Sequence, residues 1–203
     1  MPEDQFKNQL EEFSYALGLT ISANLLQSGV KNIDSLQFLA GLQDTYAGNK
    51  PKISMDLANQ RLQNFMMSQN NEEANKNLEE GLLYLANNIK NEGVIETESG
   101  LQYKIIKDGY GESPTIDDYV KCHYHGLLLD GTVFDSSIER KEAAIFPVSA
   151  VIPGWIEALK MMAVGAKWRL FIPFDLAYGE QGAGGMIGPN ATLIFDVELL
   201  EIV

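Results

Sequence analysis

The stretch Ala191-Thr192-Leu193-Ile194-Phe195-Asp196-Val197-Glu198-Leu199-Leu200 carries a period of two, with Leu193, Phe195, Val197 and Leu199 on one side and Asp196 and Glu198 on the other. One apolar and one charged face predict a strand of an antiparallel sheet whose inner side is core. The same period runs through residues 101–107, 119–129 and Lys167–Ile172, and the last strand extends over 192–202. Asp130-Gly131 between two apolar runs predicts a tight hairpin. Only residues 151–162 have helical spacing in this half, so residues 94–203 are expected to form an α+β unit with one helix against a sheet.

Before residue 92 the period is helical. Phe6, Leu10, Phe13, Leu17, Ile21 and Leu25 step by four, three, four, four and four, which puts them on one stripe. Asp34 is a cap for a second helix with Leu36, Leu39, Ala40 and Leu42, ended near Gly48 and Pro51. Ser54 is a cap for a third with Leu57, Leu62, Phe65 and Met66. Residues 72–91 carry Ala74, Leu78, Leu82, Leu85 and Ile89 in an Asn- and Glu-rich background, read as an exposed connecting helix closed by Gly93. The expected division is a helical domain over 1–70, a connecting helix over 71–93 and a third part over 94–203, with the boundary at 93–99. Helices of this length bury little surface by themselves, so pairing with a second copy is expected; packing on the C-terminal half is the alternative.

The chain has 203 residues, 45% of them apolar, and a net charge of -13 from 28 acidic and 15 basic residues. That charge disfavours nucleic acid and anionic membrane surfaces as partners. One cysteine, Cys122, excludes an internal disulfide and a Cys-rich zinc site. No run reaches the roughly 18 to 20 apolar residues of a membrane helix. The first residues, Met1-Pro2-Glu3-Asp4-Gln5, lack the basic and apolar regions of a signal peptide.

Several short motifs compete for chemistry. His123 and His125 share one face of a strand and Val120, Cys122 and Tyr124 the other; with no third ligand at a usable spacing, surface histidines are favoured over a metal site. The Gly-rich stretch 179–188 lacks the Gly-Lys-Ser/Thr ending of a phosphate loop and leads into a strand, so a flap over a pocket is favoured. Ser136-Ser137 lacks the nucleophile elbow of a hydrolase. Phe134-Asp135, Val151-Ile152-Pro153-Gly154-Trp155, Ala177-Tyr178-Gly179 and Phe195 instead read as an aromatic enclosure with a carboxylate and a hydroxyl at its edge, although core packing is the other use of such rings.

In order and spacing these runs resemble the FKBP-type peptidyl-prolyl cis-trans isomerases over about residues 94–203. Ser14-Tyr15-Ala16-Leu17-Gly18, Phe38-Leu39-Ala40-Gly41-Leu42-Gln43-Asp44 and Ser99-Gly100-Leu101-Gln102-Tyr103-Lys104 are similar to the N-terminal part of the two-domain, macrophage infectivity potentiator-like bacterial type. The resemblance implies a half-barrel sheet wrapped on the helix at Trp155, and an intertwined homodimer built by the N-terminal helices. It implies rotation of X-Pro bonds in proteins, with no cofactor and no metal. Asp135, Tyr178, Trp155 and the Ile152 backbone N–H take the catalytic positions, and Tyr124, Phe134, Val151, Ile187 and Phe195 the substrate-binding ones. Ala144 and Ala183 stand where relatives carry larger side chains, which implies a more open pocket and leaves macrolide binding open. Prolyl segments of unfolded or partly folded proteins are the implied partners, with chaperone activity beside catalysis; a holdase with weak or no isomerase activity is the alternative. The resemblance to envelope proteins implies a periplasmic or outer-membrane location with the signal missing from this sequence, the alternative being cytoplasmic.

Overall fold

The computed structural model describes residues 6–28, 30 and 32–203, so the Met1–Gln5 stretch read above lies outside the described residues. Two compact units are present, the first comprising the residues up to Met66 with 184–186, the second 67–183 with 187–203.

The first unit is helical, and its helices begin and end where short polar side chains and glycine dictate. Asn8 caps α1 (Gln9–Gln27), its side chain accepting from the Glu11 N–H. Asp34 caps α2 (Ser35–Ala47) by accepting from the Leu36 and Gln37 N–H groups, and Gly48, with φ 67°, ends it. The Ser54 hydroxyl accepts from the Leu57 N–H at 3.2 Å at the start of α3 (Met55–Asn88). No residue of α1 or α2 is buried. Leu10, Phe13, Leu36, Leu39, Leu62 and Phe65 are all exposed, so these helices have amphipathic sequences without a core of their own.

The third helix and the connecting helix of the sequence reading are one helix of 34 residues. Between Met55 and Glu80 there is neither glycine nor proline to stop it. It ends at Asn88, ahead of Gly93, and turns at Asn91 and Gly93 lead into the sheet.

The second unit is a seven-stranded antiparallel sheet with one short helix packed on it. Its strands are β1 (Val94–Glu96), β2 (Gln102–Lys107), β3 (Tyr119–Leu128), β4 (Val133–Ser136), β5 (Ala144–Pro147), β6 (Lys167–Ile172) and β7 (Leu193–Ile202). They run in the order β1-β2-β6-β7-β3-β4, with β5 also on β3. The bounds of strands β1, β4 and β5 could not be read from periodicity, because three or four residues are too few to display a period of two. The expected boundary segment therefore contains an edge strand, since Val94–Glu96 pairs with Gln102–Lys104. Asp130-Gly131 does form the β3–β4 hairpin, with Gly131 at φ 86° and the Leu128 N–H donating to the Thr132 carbonyl.

The core lies between the sheet and α4 (Pro153–Met161). Leu193, Phe195, Val197 and Leu199 of β7 are buried on one face, as are Val120, Cys122 and Tyr124 of β3. From α4, Trp155, Ala158 and Leu159 meet them. Burial pushes the Cys122 thiol up to about 12.

The C-terminal half of α3 is fastened to the sheet by amides. The buried Asn88 donates to the Gln102 side chain at 2.9 Å, and Gln102 donates to the Leu85 carbonyl at 3.0 Å and to Glu96 at 2.9 Å. Gly81 permits close approach: a Cβ there would stand 2.4 Å from Thr192 Oγ1. Alanine favours a helix over glycine by about 1 kcal/mol, but overpacking costs about 1 to 3 kcal/mol. Gly81→Ala is therefore expected to lower the thermal unfolding midpoint, as read by calorimetry; a raised midpoint would show that helix and strand separate easily.

Candidate active site

Strands β3, β4, β5 and β7 place the ring-bearing residues around α4's first turn. Pro153 opens the helix, where its missing N–H costs nothing, and Ile152 ahead of it is extended at φ -61°, ψ 150°. This sets Trp155 one turn into the helix, 4% exposed, against the inner face of the sheet. Tyr124, Phe146 and Phe195 meet its indole edge-on, with centroids 5.5, 5.8 and 5.3 Å away and interplanar angles of 82°, 84° and 82°. Phe134 stands edge-on to Phe195 at 5.3 Å. Edge-to-face contacts of this kind add about 0.5 to 1.5 kcal/mol per pair beyond area burial, so the rings hold one another in place. At Gly126 a Cβ would come within 2.8 Å of both Phe134 and Phe195, so glycine in β3 leaves room for these rings.

The result is a cavity of about 250 Å³ lined by Tyr124, Phe134, Asp135, Phe146, Ala150, Val151, Ile152, Trp155, Tyr178 and Phe195. Every residue expected at the site lies in its lining except Ile187. Ile187 is buried in the core cluster and exchanges two main-chain hydrogen bonds with Ala183, at 2.9 and 3.0 Å. Ala144 and Ala183 pack against the core without lining the cavity. Phe146 was missed, although its register opposite Val120 puts it on the core face.

Polar groups converge on one wall. The Tyr124 hydroxyl donates to Asp135 Oδ2 at 2.6 Å, and Arg140 donates to both the Tyr124 oxygen, at 2.7 Å, and Asp135 Oδ1. The Arg140 guanidinium also lies 5.6 Å from the Tyr124 ring centroid. Burial works to raise the Asp135 carboxyl, but the hydrogen bonds from Tyr124 and Arg140 outweigh it and hold the group below its ordinary range. Burial, and then the charge of Asp135, raise the Tyr178 phenol, so it remains a proton donor at neutral pH. Arg140 was not anticipated; a lone cation five residues beyond Asp135, in a turn, is a signal only once the turn is known to fold back.

The two histidines point away from this cavity. His123 Nδ1 lies 3.1 Å from Ser137 Oγ, and His125 Nδ1 lies 2.9 Å from Ser136 Oγ. Both serines are buried, and Ser137 is also bonded to the Tyr124 backbone at 2.7 and 3.2 Å. They fasten β4 to β3 rather than presenting a nucleophile. The Ile152 carbonyl accepts from the Trp155 and Ile156 N–H groups, while its own N–H meets no acceptor among the described residues.

A sheet wrapped on a short helix, with an indole walled by rings and polar groups gathered on one wall, defines a binding enclosure for a small apolar ring with one polar side. Residues 111–200 match the family of FKBP-type peptidyl-prolyl cis-trans isomerases, and residues 10–105 match the domain amino terminal to FKBP-type peptidyl-prolyl isomerase. The chain belongs to the FKBP-type peptidyl-prolyl cis-trans isomerase family, and it is a rotamase of the peptidyl-prolyl bond.

Among similar bacterial proteins, the FKBP-type 22 kDa peptidyl-prolyl cis-trans isomerase of Escherichia coli is 46% identical, with 93% of each chain covered. The outer membrane protein MIP of Legionella longbeachae is 39% identical over 95% of this chain and 85% of its own. The crystal structure of FkpA from Escherichia coli superposes with a TM-score of 0.69 at 37% identity, covering 97% of this chain and 98% of that one.

The Asp135 network gives a direct test. Removing the guanidinium in Arg140→Ala should move the Asp135 titration to higher pH, as read by carboxyl-carbon NMR; an unmoved titration would show that Arg140 does not hold the carboxylate. Because the folded value is depressed, the associated stability is present above the ordinary Asp range near about 3.9 and is lost as pH falls through the folded value.

Proposed function

We propose that the chain accelerates X-Pro rotation in unfolded or partly folded proteins by drawing the prolyl ring onto Trp155 and holding the bond in its twisted form. The observation that carries this is the closed set of edge-on rings around the indole. Resonance gives the X-Pro bond a barrier of roughly 18 to 20 kcal/mol, and the planar amide is its more polar form. A dry aromatic wall disfavours that form relative to the twisted one. Shape complementary to the twisted bond adds to this, and a thousandfold acceleration needs only about 4 kcal/mol.

In this reading Tyr178, kept protonated, orients the substrate carbonyl, and the Ile152 N–H donates to a second carbonyl. Asp135 polarises the wall beside the amide or, through Tyr124 and Arg140, fixes the wall's shape. Tyr124, Phe134, Val151 and Phe195 form the sides, while Ile187 stays behind them in the core cluster. A cavity of about 250 Å³ is smaller than the roughly 300 to 1,000 Å³ of sites for drug-sized ligands, which favours a prolyl side chain over a small-molecule receptor role.

Exchange NMR on a Leu-Pro or Phe-Pro peptide should show the rate falling about tenfold or more in Trp155→Ala and in Asp135→Leu. Unchanged rates would sink the assignment.

The N-terminal helices are proposed to pair with a second copy, giving a domain over 1–70, a connecting helix over 71–93 and an isomerase domain over 94–203. Exposed apolar side chains on all three helices support this, since helices without a core of their own need a partner surface. The paired helices would hold apolar client segments, a chaperone role beside catalysis. A location in the bacterial envelope is proposed on the name of the Legionella relative. Sedimentation should give twice the chain mass for the protein and a monomer for the Phe13→Asp, Leu17→Asp variant; a monomeric parent chain would remove the dimer.

A further inference from the structure

Ala74, Asn77 and Gly81 of α3 follow one another at intervals of three and four and so share one helical face. All three meet the short run that enters β7. Asn77 Nδ2 donates to the Pro189 carbonyl at 2.8 Å, and Asn190 Nδ2 donates to the Ala74 carbonyl at 3.3 Å. Gly81 abuts the buried Thr192, and a Cβ at Gly188 would stand 2.8 Å from Glu73 Oε1 and 2.9 Å from Asn77 Nδ2, so both side chains reach this run.

Asn190 is the pivot. It is one of two described non-glycine residues with positive φ, at 56°. Its Oδ1 is buried with no donor among the described residues, so the bond to α3 is what holds its amide. Its backbone N–H donates at 3.0 Å to the carbonyl of Gly179, the residue after Tyr178. The Tyr178 hydroxyl has no hydrogen-bond partner among the described residues, so its place in the cavity depends on the backbone beneath it.

We propose that Asn77 and Asn190 are positioning residues for the isomerase: α3 clamps the root of the loop before β7, and the Asn190–Gly179 bond passes that constraint to Tyr178. This rests on the reading of Tyr178 as the group that orients the substrate carbonyl. The helix is then part of the catalytic apparatus rather than only a link. A loosened clamp lets Tyr178 drift, which weakens substrate and transition state together and so appears in KM rather than kcat.

The test uses the full chain with Asn77→Ala, Asn190→Gly and Tyr178→Phe. Glycine at 190 keeps the left-handed backbone while removing the amide. Both asparagine variants should show amide exchange at residue 190 about three- to tenfold faster, and kcat/KM about three- to tenfold lower, carried by KM with kcat within about twofold. Tyr178→Phe should lose at least as much, and adding Asn77→Ala to it should cost little more, because the two act on one group. Parent-like kcat/KM in both asparagine variants, with Tyr178→Phe impaired, overturns the clamp alone. Parent-like activity in Tyr178→Phe overturns the role of Tyr178 and the clamp with it. A loss carried wholly by kcat also overturns it.

Discussion

The indole of Trp155 is wedged among three rings that each stand nearly perpendicular to it, and the rest of the isomerase unit is arranged to make that possible. Tyr124 and Phe195 come from the two strands with the longest mutual pairing, Phe146 from a short strand laid across the start of β3, and the indole itself from the first turn of a nine-residue helix. Strands supply fixed spacing, and the helix supplies depth. A cavity assembled this way does not depend on any single flexible side chain for its shape, which suits the fit-driven rotation proposed above.

The polar side of the cavity has a different logic. Asp135 lies beside an apolar floor, a position that by itself would favour its neutral form. Tyr124 and Arg140 reverse that preference and leave it ionised, hydrogen-bonded and unable to wander. The carboxylate is part-exposed, so solvent screens its ion pair with Arg140, and its hydrogen bond with Tyr124 ties the end of β4 to β3.

Much of this was legible from local pattern. The alternation through Leu193, Phe195, Val197 and Leu199, the Asp34 cap and the Asp130-Gly131 turn depend on neighbours a few residues away, and each appears in the structure as read. The resemblance located the ring-bearing motifs because several separated runs agreed at once. What escaped depends on contacts distant in sequence or on elements too short to have a period: β1, the bounds of β4 and β5, the inward place of Phe146, the return of Arg140 onto Asp135. The continuity of α3 was hidden for another reason. Its apolar positions change character along its length, and that change looked like a boundary where the backbone has none.

Cys122 illustrates how a residue outside the site shapes where such a protein can work. Sealed in the core on β3, with its proton held up to about 12, the thiol offers almost no thiolate at neutral pH. Oxidants, thiol reagents and mixed-disulfide partners all act on the thiolate, so the fold places its one sulfhydryl out of their reach. In the folded protein this thiol is then as inert in an oxidising medium as in a reducing one.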